Sequence, residues 1–321
     1  MASTSSTTRK RRKLLSLAKG GDAEAQCRLA SSYLFDRPVR NAKGVAWCQK
    51  AAEQGNAWAQ TTLGCALRDG MGVKRDVRAA VRWLRKAAKQ GFDWAQNDLG
   101  FAYSHGEGVR QDDRQAVYWY RLAAKHGNAT AEHNLGSKYL HGNGVRKNER
   151  VAVQWYRRSA EQGDREAQNV LGECLRDGVG VRRNRREAVK WFRVAAKQGE
   201  SNGQLSLGYA YFHGAGVRRN RAEGLRWYRK AARQGHERAM YNIGLCYLYG
   251  EGVRRSTSMA LKWLKRAATE GHTSAMHIIG RTYADGDGVR KDVRGARTWL
   301  RKAAKLGHAE AQELLAQLDG R

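Results

Sequence analysis

The sequence predicts an all-α fold: an α/α superhelix (solenoid) of eight helix-pair repeats, with half-repeat caps at its ends. Three observations carry this. Eight tryptophans, Trp47, Trp83, Trp119, Trp155, Trp191, Trp227, Trp263 and Trp299, follow one another at 36-residue steps. A glycine recurs with the same step inside an apolar helical pattern, from Gly64 to Gly280. A GxGV turn, followed three residues later by a helix-capping residue, recurs with it from Gly70 to Gly286. A period of this length belongs to helical-pair arrays, whose units meet their neighbours through equivalent side chains. Such an array grows by adding units, so a chain of 321 residues need not split into about two globular domains.

Residues 1–12 read as a disordered basic tail, rich in Ser and Thr and free of acids. With the run Arg9 to Lys13, this composition fits a transit peptide, a nuclear signal, a translocation tail or plain disorder. Leu14–Ala18 is too short for the apolar stretch of a secretory signal. Residues 13–321 form a single solenoid, in which Leu14–Gly21 aligns with the end of a second helix. Its units are 22–55, 56–91, 92–127, 128–163, 164–199, 200–235, 236–271 and 272–307, followed by a cap helix over 308–318. The first unit is two residues short in the loop that holds Pro38, the only proline.

Each unit opens with helix A. In the second unit its apolar face is Ala59, Leu63 and Leu67, at i, i+4 and i+8, and the columns repeat through the later units. Gly64 and its equivalents sit on that face, where glycine costs about 1 kcal/mol against alanine. Recurrence at such a cost predicts a close approach of a neighbouring helix. The GxGV glycines then leave the helix through positive φ. Asp76, Asp112, Asn148, Asn184, Asn220, Ser256 and Asp292 are each preferred N-caps for helix B. Helix B buries the stripe Ala80, Trp83, Leu84, Ala87 and Ala88, and stops at Gly91.

Lys and Arg outnumber Asp and Glu by 60 to 30, a net charge of +30, which bears on partners and not on fold. No stretch approaches the roughly 18 apolar residues of a membrane span. Five scattered cysteines suit a reducing compartment, and the chain is read as cytoplasmic. The histidines fall into columns, His105, His141 and His213 before the turn and His236, His272 and His308 after the inter-unit glycine. Periodic histidines about 10 Å apart cannot share one metal, so a loop-capping role is expected and no metal or cofactor.

The motifs AQxxLGxxY, GxGV and AxxWYRKAAxxG, repeated from about residue 14 onward, resemble the Sel1-like repeat family, a cousin of the tetratricopeptide repeat. The resemblance implies a right-handed superhelix of antiparallel helix pairs and a non-catalytic adaptor that binds through its helix-A face. Family members commonly carry proline after the GxGV turn, whereas this chain carries basic residues. One secreted branch pairs cysteines within each repeat and this chain does not, which weakens transfer of that branch's penicillin-binding reports and of any cell-wall or β-lactam-type hydrolase role.

Two sets of residues are candidate sites. The first is Trp58 and Trp94, in a column otherwise polar, with Tyr209, Phe212, Tyr241 and Tyr249 at positions that vary between units. Large aromatics not needed for the core suit a partner-binding patch, although packing between units explains them equally well. The second is the basic turn: Lys74 and Arg75, Arg110, Arg146 and Lys147, Arg182 and Arg183, Arg218 and Arg219, Arg254 and Arg255, Arg290 and Lys291. These precede helix N-termini, where a cation is disfavoured by about 0.3–1 kcal/mol, so an anion-binding ladder is one reading and a solvated surface the other. A further basic column on helix B, from Arg85 to Arg301, is read as a wet outer face.

The predicted function is a scaffold for a protein or peptide, with a basic edge for acidic partners. A nucleic-acid-binding solenoid is the alternative, in which turn arginines neutralise phosphates and aromatics stack on bases. No catalytic constellation stands out, and Ser16 and Lys19 match S-x-x-K by chance.

Overall fold

The computed structural model describes residues 12–35 and 41–319. The basic tail, apart from Arg12, and the loop around Pro38 lie outside the described residues. Among those described, every regular element is an α-helix. The chain divides into two compact units, Met1–Gln162 and Gly163–Arg321.

The first unit holds α1 (12–19), α2 (Ala23–Phe35), α3 (Asn41–Glu53), α4 (Ala57–Asp69), α5 (Val77–Lys89), α6 (Asp93–His105), α7 (Asp113–Lys125), α8 (Ala129–His141) and α9 (Glu149–Glu161). The second holds α10 (Arg165–Asp177), α11 (Arg185–Lys197), α12 (Ser201–His213), α13 (Arg221–Arg233), α14 (Glu237–Tyr249), α15 (Thr257–Thr269), α16 (Thr273–Asp285), α17 (Val293–Lys305) and α18 (Ala309–Asp319). From α2 onward even-numbered helices are helix A and odd-numbered ones helix B, and within each unit consecutive helices pack together.

Local chemistry sets the helix ends. The seven predicted N-caps of helix B all accept from the first-turn amides, as Asp76 does from Ala79 N at 2.9 Å and Asn220 from Glu223 N at 3.0 Å. Each such cap stabilises by about 1 kcal/mol. Helix A ends on a left-handed glycine, for example Gly106 at φ 71°.

The mid-helix glycines face one buried column of helix B. A β-carbon on Gly64 would lie 2.8 Å from Leu84 Cγ, one on Gly100 2.7 Å from Tyr120 Cδ1, and one on Gly172 2.5 Å from Phe192 Cε1. The close approach predicted from the glycine column is therefore made to the large side chain beside the tryptophan. That neighbour, not the indole, is fully buried: Tyr120, Phe192 and Leu264 are at most 1% exposed.

The tryptophans themselves are half-buried wedges. Trp83 packs on a cluster that includes Ala51, Ala52 and Leu63, and so bridges two repeats. Its outer face is covered by Lys86, 4.3 Å from the ring centre, and Lys50, Arg158, Lys230, Arg266 and Lys302 cover Trp47, Trp155, Trp227, Trp263 and Trp299 in the same i+3 manner. At a half-exposed site such a pair contributes about 0.5–1 kcal/mol.

Two side-chain ladders tie the helices together. Gln60 donates to Ala52 O at 3.1 Å and accepts from Gln90 at 2.8 Å; Gln204 repeats this with Ala196 O and Gln234. Gln96 keeps its bond to Ala88 O, but His126 occupies the partner position and the Gln96 Oε1 is buried without a hydrogen bond. The second ladder adds a role to the helix-B basic column, whose members stay exposed or half-exposed as the wet-face reading expects. Arg85, Arg121, Arg193, Arg229 and Lys265 donate to Tyr103, Tyr139, Tyr211, Tyr247 and Tyr283 at 2.7–3.1 Å, each to the hydroxyl of the following repeat. These residues snorkel along the helix to reach a hydroxyl and clasp successive repeats.

Candidate functional site

In the first unit, α4 and α6 lie side by side in the array and frame a groove of about 520 Å³ lined by Trp58, Thr62, Cys65, Arg68, Asp69, Met71, Phe92, Trp94 and Asp98. The sequence explains the lining. From Trp94, the residue four positions on is Asp98; from Trp58, the residue seven on is Cys65, so these share helix faces. Trp94 is 57% and Met71 45% exposed, while Trp58 is half-buried against the core.

The floor of this groove is polar. Cys65 Sγ donates to Asp98 Oδ2 at 3.2 Å and Asn97 donates to Asp98 Oδ1 at 3.3 Å. Arg68 gives its Nε and one terminal nitrogen to Asp69, at 2.8 and 3.1 Å, and its other terminal nitrogen lies 3.8 Å from Asp98. Burial pushes the Asp98 carboxyl above its ordinary value, against the pull of Cys65 and Arg68. Burial, with the Asp98 charge second, pushes the Cys65 thiol up to about 12, so it is no nucleophile near neutral pH.

The second unit has a groove of about 580 Å³ whose lining includes Glu173, Arg176, Asp177, Asn202, Tyr209, His213 and Arg238. It too opens on an Arg–Asp pair, Arg176 with Asp177 at 2.8 and 2.7 Å, but its walls are polar. Burial lifts the Glu173 carboxyl, which accepts from Asn169 at 3.3 Å.

Trp58 and Trp94 thus share one groove and Tyr209, 45% exposed, lines the other. Tyr241 is half-buried and stacks on His272, ring centres 4.4 Å apart, and Tyr249 is exposed and accepts from Arg281 at 3.3 Å. Phe212 requires a correction, because it is 7% exposed and packs into the core 6.0 Å from Tyr228. Gly224 makes room for it where other repeats carry alanine; a β-carbon there would sit 2.9 Å from Phe212 Cβ.

The basic turns also differ from expectation. The second residue of each pair lies over the C-terminus of helix A, the negative end of its dipole. Arg75 Nε donates to Arg68 O at 2.9 Å and Arg255 Nε to Leu248 O at 3.0 Å. Gln111, neutral, makes the same bond to Ser104 O at 3.0 Å, so the bond needs a donor and not a charge. Nor is the helix-B N-terminus an open anion cradle. At Gly108, Gly144, Gly216, Gly252 and Gly288 the second glycine of the turn lies on the start of the preceding helix B, a β-carbon on Gly108 falling 3.1 Å from Arg78 N. Lys74, Arg110, Arg146, Arg182, Arg218, Arg254 and Arg290 stay exposed.

Histidine capping takes two forms: His272 Nδ1 accepts from Ala275 N at 3.2 Å, and His236 Nε2 bonds Asn202 Oδ1 at 3.1 Å. Among the described residues no group of His, Cys, Asp and Glu can hold a metal ion, and no helix is long and apolar enough to cross a membrane.

The Sel1 repeat model matches residues 23–56, 59–92, 95–128, 129–164, 165–200, 201–236, 237–272 and 273–308. The chain belongs to the Sel1 repeat family. Its fold is similar to the crystal structure of c5321, a protective antigen present in uropathogenic Escherichia coli strains that displays an SLR fold, with TM-score 0.79, 32% identity, and coverage of 96% of this chain and 67% of that one. It is similar also to a Sel1 repeat protein from Oxalobacter formigenes, with TM-score 0.69, 32% identity, and coverage of 96% and 89%. Comparison with curated proteins gave no match. A Sel1 repeat solenoid is a fold typical of protein–protein interaction scaffolds, and the grooves between its helix-A faces are where this chain departs from its own repeat.

Proposed function

We propose that this Sel1 repeat chain is a non-catalytic scaffold that holds a protein or peptide partner on its helix-A face, chiefly in the groove between α4 and α6. The supporting observation is the pair Trp58 and Trp94, which line one groove in a column where later repeats carry Thr130, Glu166 and Asn202. Large aromatics in a concave site anchor partners, because burying one indole removes 150 Å² or so from water without ordering many torsions. Five free thiols, three of them buried, support a reducing compartment such as the cytoplasm. A photo-crosslinking amino acid at position 94, compared with one at the exposed helix-B residue Tyr118, tests the face directly. Partner adducts at 94 that vanish with Trp58→Ala support the reading; equal adducts at both positions refute it.

A second reading, the basic edge, is favoured by the exposed first residues of the turns, for which an acidic protein or a nucleic acid is the matching partner. Affinity for heparin or single-stranded DNA measured against salt tests it. A slope that falls when Arg182 and Arg218 become Ser supports the edge, and an unchanged slope rejects it.

A further inference from the structure

We propose that the groove between α4 and α6 selects its partner by a single cationic side chain, arginine or lysine, held against the indoles of Trp58 and Trp94 with its charge at Asp98. This rests on the scaffold reading and runs against the net charge of the chain, which favours acidic partners.

The first ground is local charge. The ionisable groups of the groove are Arg68, Asp69, Asp98 and the neutral Cys65 thiol, so one carboxylate exceeds the cations in a protein of net charge +30. Two nitrogens of Arg68 are taken by Asp69. Asp98 is left with a thiol, a long amide bond and a guanidinium at 3.8 Å, while its side chain remains 20% exposed to the groove. A carboxylate so poorly compensated gains most from an incoming cation.

The second ground is the indoles. Six framework tryptophans carry a Lys or Arg of their own helix at i+3, over the ring. For Trp58 and Trp94 the i+3 residues are Thr61 and Asn97, and no cation lies over either ring among the described residues. Trp94, 57% exposed, leaves open the kind of π-face that this fold elsewhere fills from within, with half-buried Trp58 and a carboxylate in the same groove. An aromatic wall next to an acidic floor is the arrangement that recognises cations. Arginine fits best, since its planar guanidinium stacks on an indole and presents a donor fork to a carboxylate.

Range selects the local pair over the whole-chain field. At physiological ionic strength charges are screened over about 8 Å, so distant surface arginines repel a bound guanidinium far less than Asp98 attracts it.

The test uses the full chain and fluorescein-labelled nonapeptides with one central residue, Arg, citrulline or Glu, flanked by leucine and alanine, read by fluorescence anisotropy. The proposal expects the Arg peptide to bind at least about tenfold more tightly than its citrulline counterpart, a neutral isostere. Asp98→Asn, isosteric and checked for folding by circular dichroism, should erase that preference, and Trp94→Ala should weaken the Arg peptide several-fold. Citrulline or Glu binding as tightly as Arg, or an Arg preference that survives Asp98→Asn, overturns the cation proposal. Should peptides of any charge bind in a Trp94-dependent way, the scaffold reading stands without it. Should none bind, the cation proposal falls, and crosslinks at position 94 that match those at Tyr118 take the scaffold reading with it.

Discussion

Gly100→Ala should destabilise the first unit even though alanine is the better helix former. The new β-carbon would lie 2.7 Å from both Cδ1 and Cε1 of Tyr120, well inside ordinary contact. Tyr120 cannot yield, being 1% exposed in the middle of the core. Overpacking of this kind costs about 1–3 kcal/mol, and the helical gain of Gly→Ala returns about 1 kcal/mol, leaving a net loss of about 0–2 kcal/mol. A double-mutant cycle separates the two effects. With Tyr120→Ala the clash is gone, so adding Gly100→Ala should stabilise by up to about 1 kcal/mol, a coupling of about 1–3 kcal/mol. Urea unfolding by circular dichroism, with hydrogen exchange of α6 and α7 as the local readout, measures it. Alanine at 100 that stabilises the protein with Tyr120 in place, or a cycle additive to within about 0.5 kcal/mol, would refute the packing argument.

Three more expectations concern single positions. His126→Gln should supply the missing donor to the buried Gln96 Oε1 and stabilise by about 1 kcal/mol, seen as a higher urea midpoint. Arg229→Met and Tyr247→Phe should each cost about 0.5–1.5 kcal/mol and the pair hardly more than one alone, because both remove one clasp. Burial lowers the pKa of His236, His272 and His277, so in the second unit their neutral forms are preferred. The unfolded chain then binds more protons below the ordinary histidine value, and stability present above that value is lost as pH falls through the lowered ones. Melting temperature should therefore drop between about pH 7 and pH 5, and His272→Asn, which keeps an N-cap acceptor, should flatten that drop; an unaltered profile would remove His272 from the account.

Much of this molecule was legible in its repeat. The N-cap column from Asp76 to Asp292 works in every copy, because capping depends on residues three apart and needs no distant partner. The glycine column announced a close approach, though not that a tyrosine, phenylalanine or leucine fills the space. Five clasps were written in the sequence too, as basic residues each 18 positions before a tyrosine, although Arg157 stands before Leu175 and the column alone does not mark a clasp. The sequence alone does not bury Phe212, because its burial depends on Gly224, a compensation on another helix. Position along the chain places Arg75 before the helix ahead of it, whereas its side chain turns back to the helix behind.

The sequence by itself determined the repeat, the helix limits and the tryptophan seam, since each follows from local periodicity copied eight times. Only the tertiary structure decided which exposed side chains share a groove. A period says that Trp58 and Trp94 are equivalent, but packing of α4 beside α6 is what sets both indoles beside Asp98 and leaves Arg68 engaged by Asp69. Charge and aromatic faces act over a few ångströms, and that distance is set by helices packing, not by spacing along the chain.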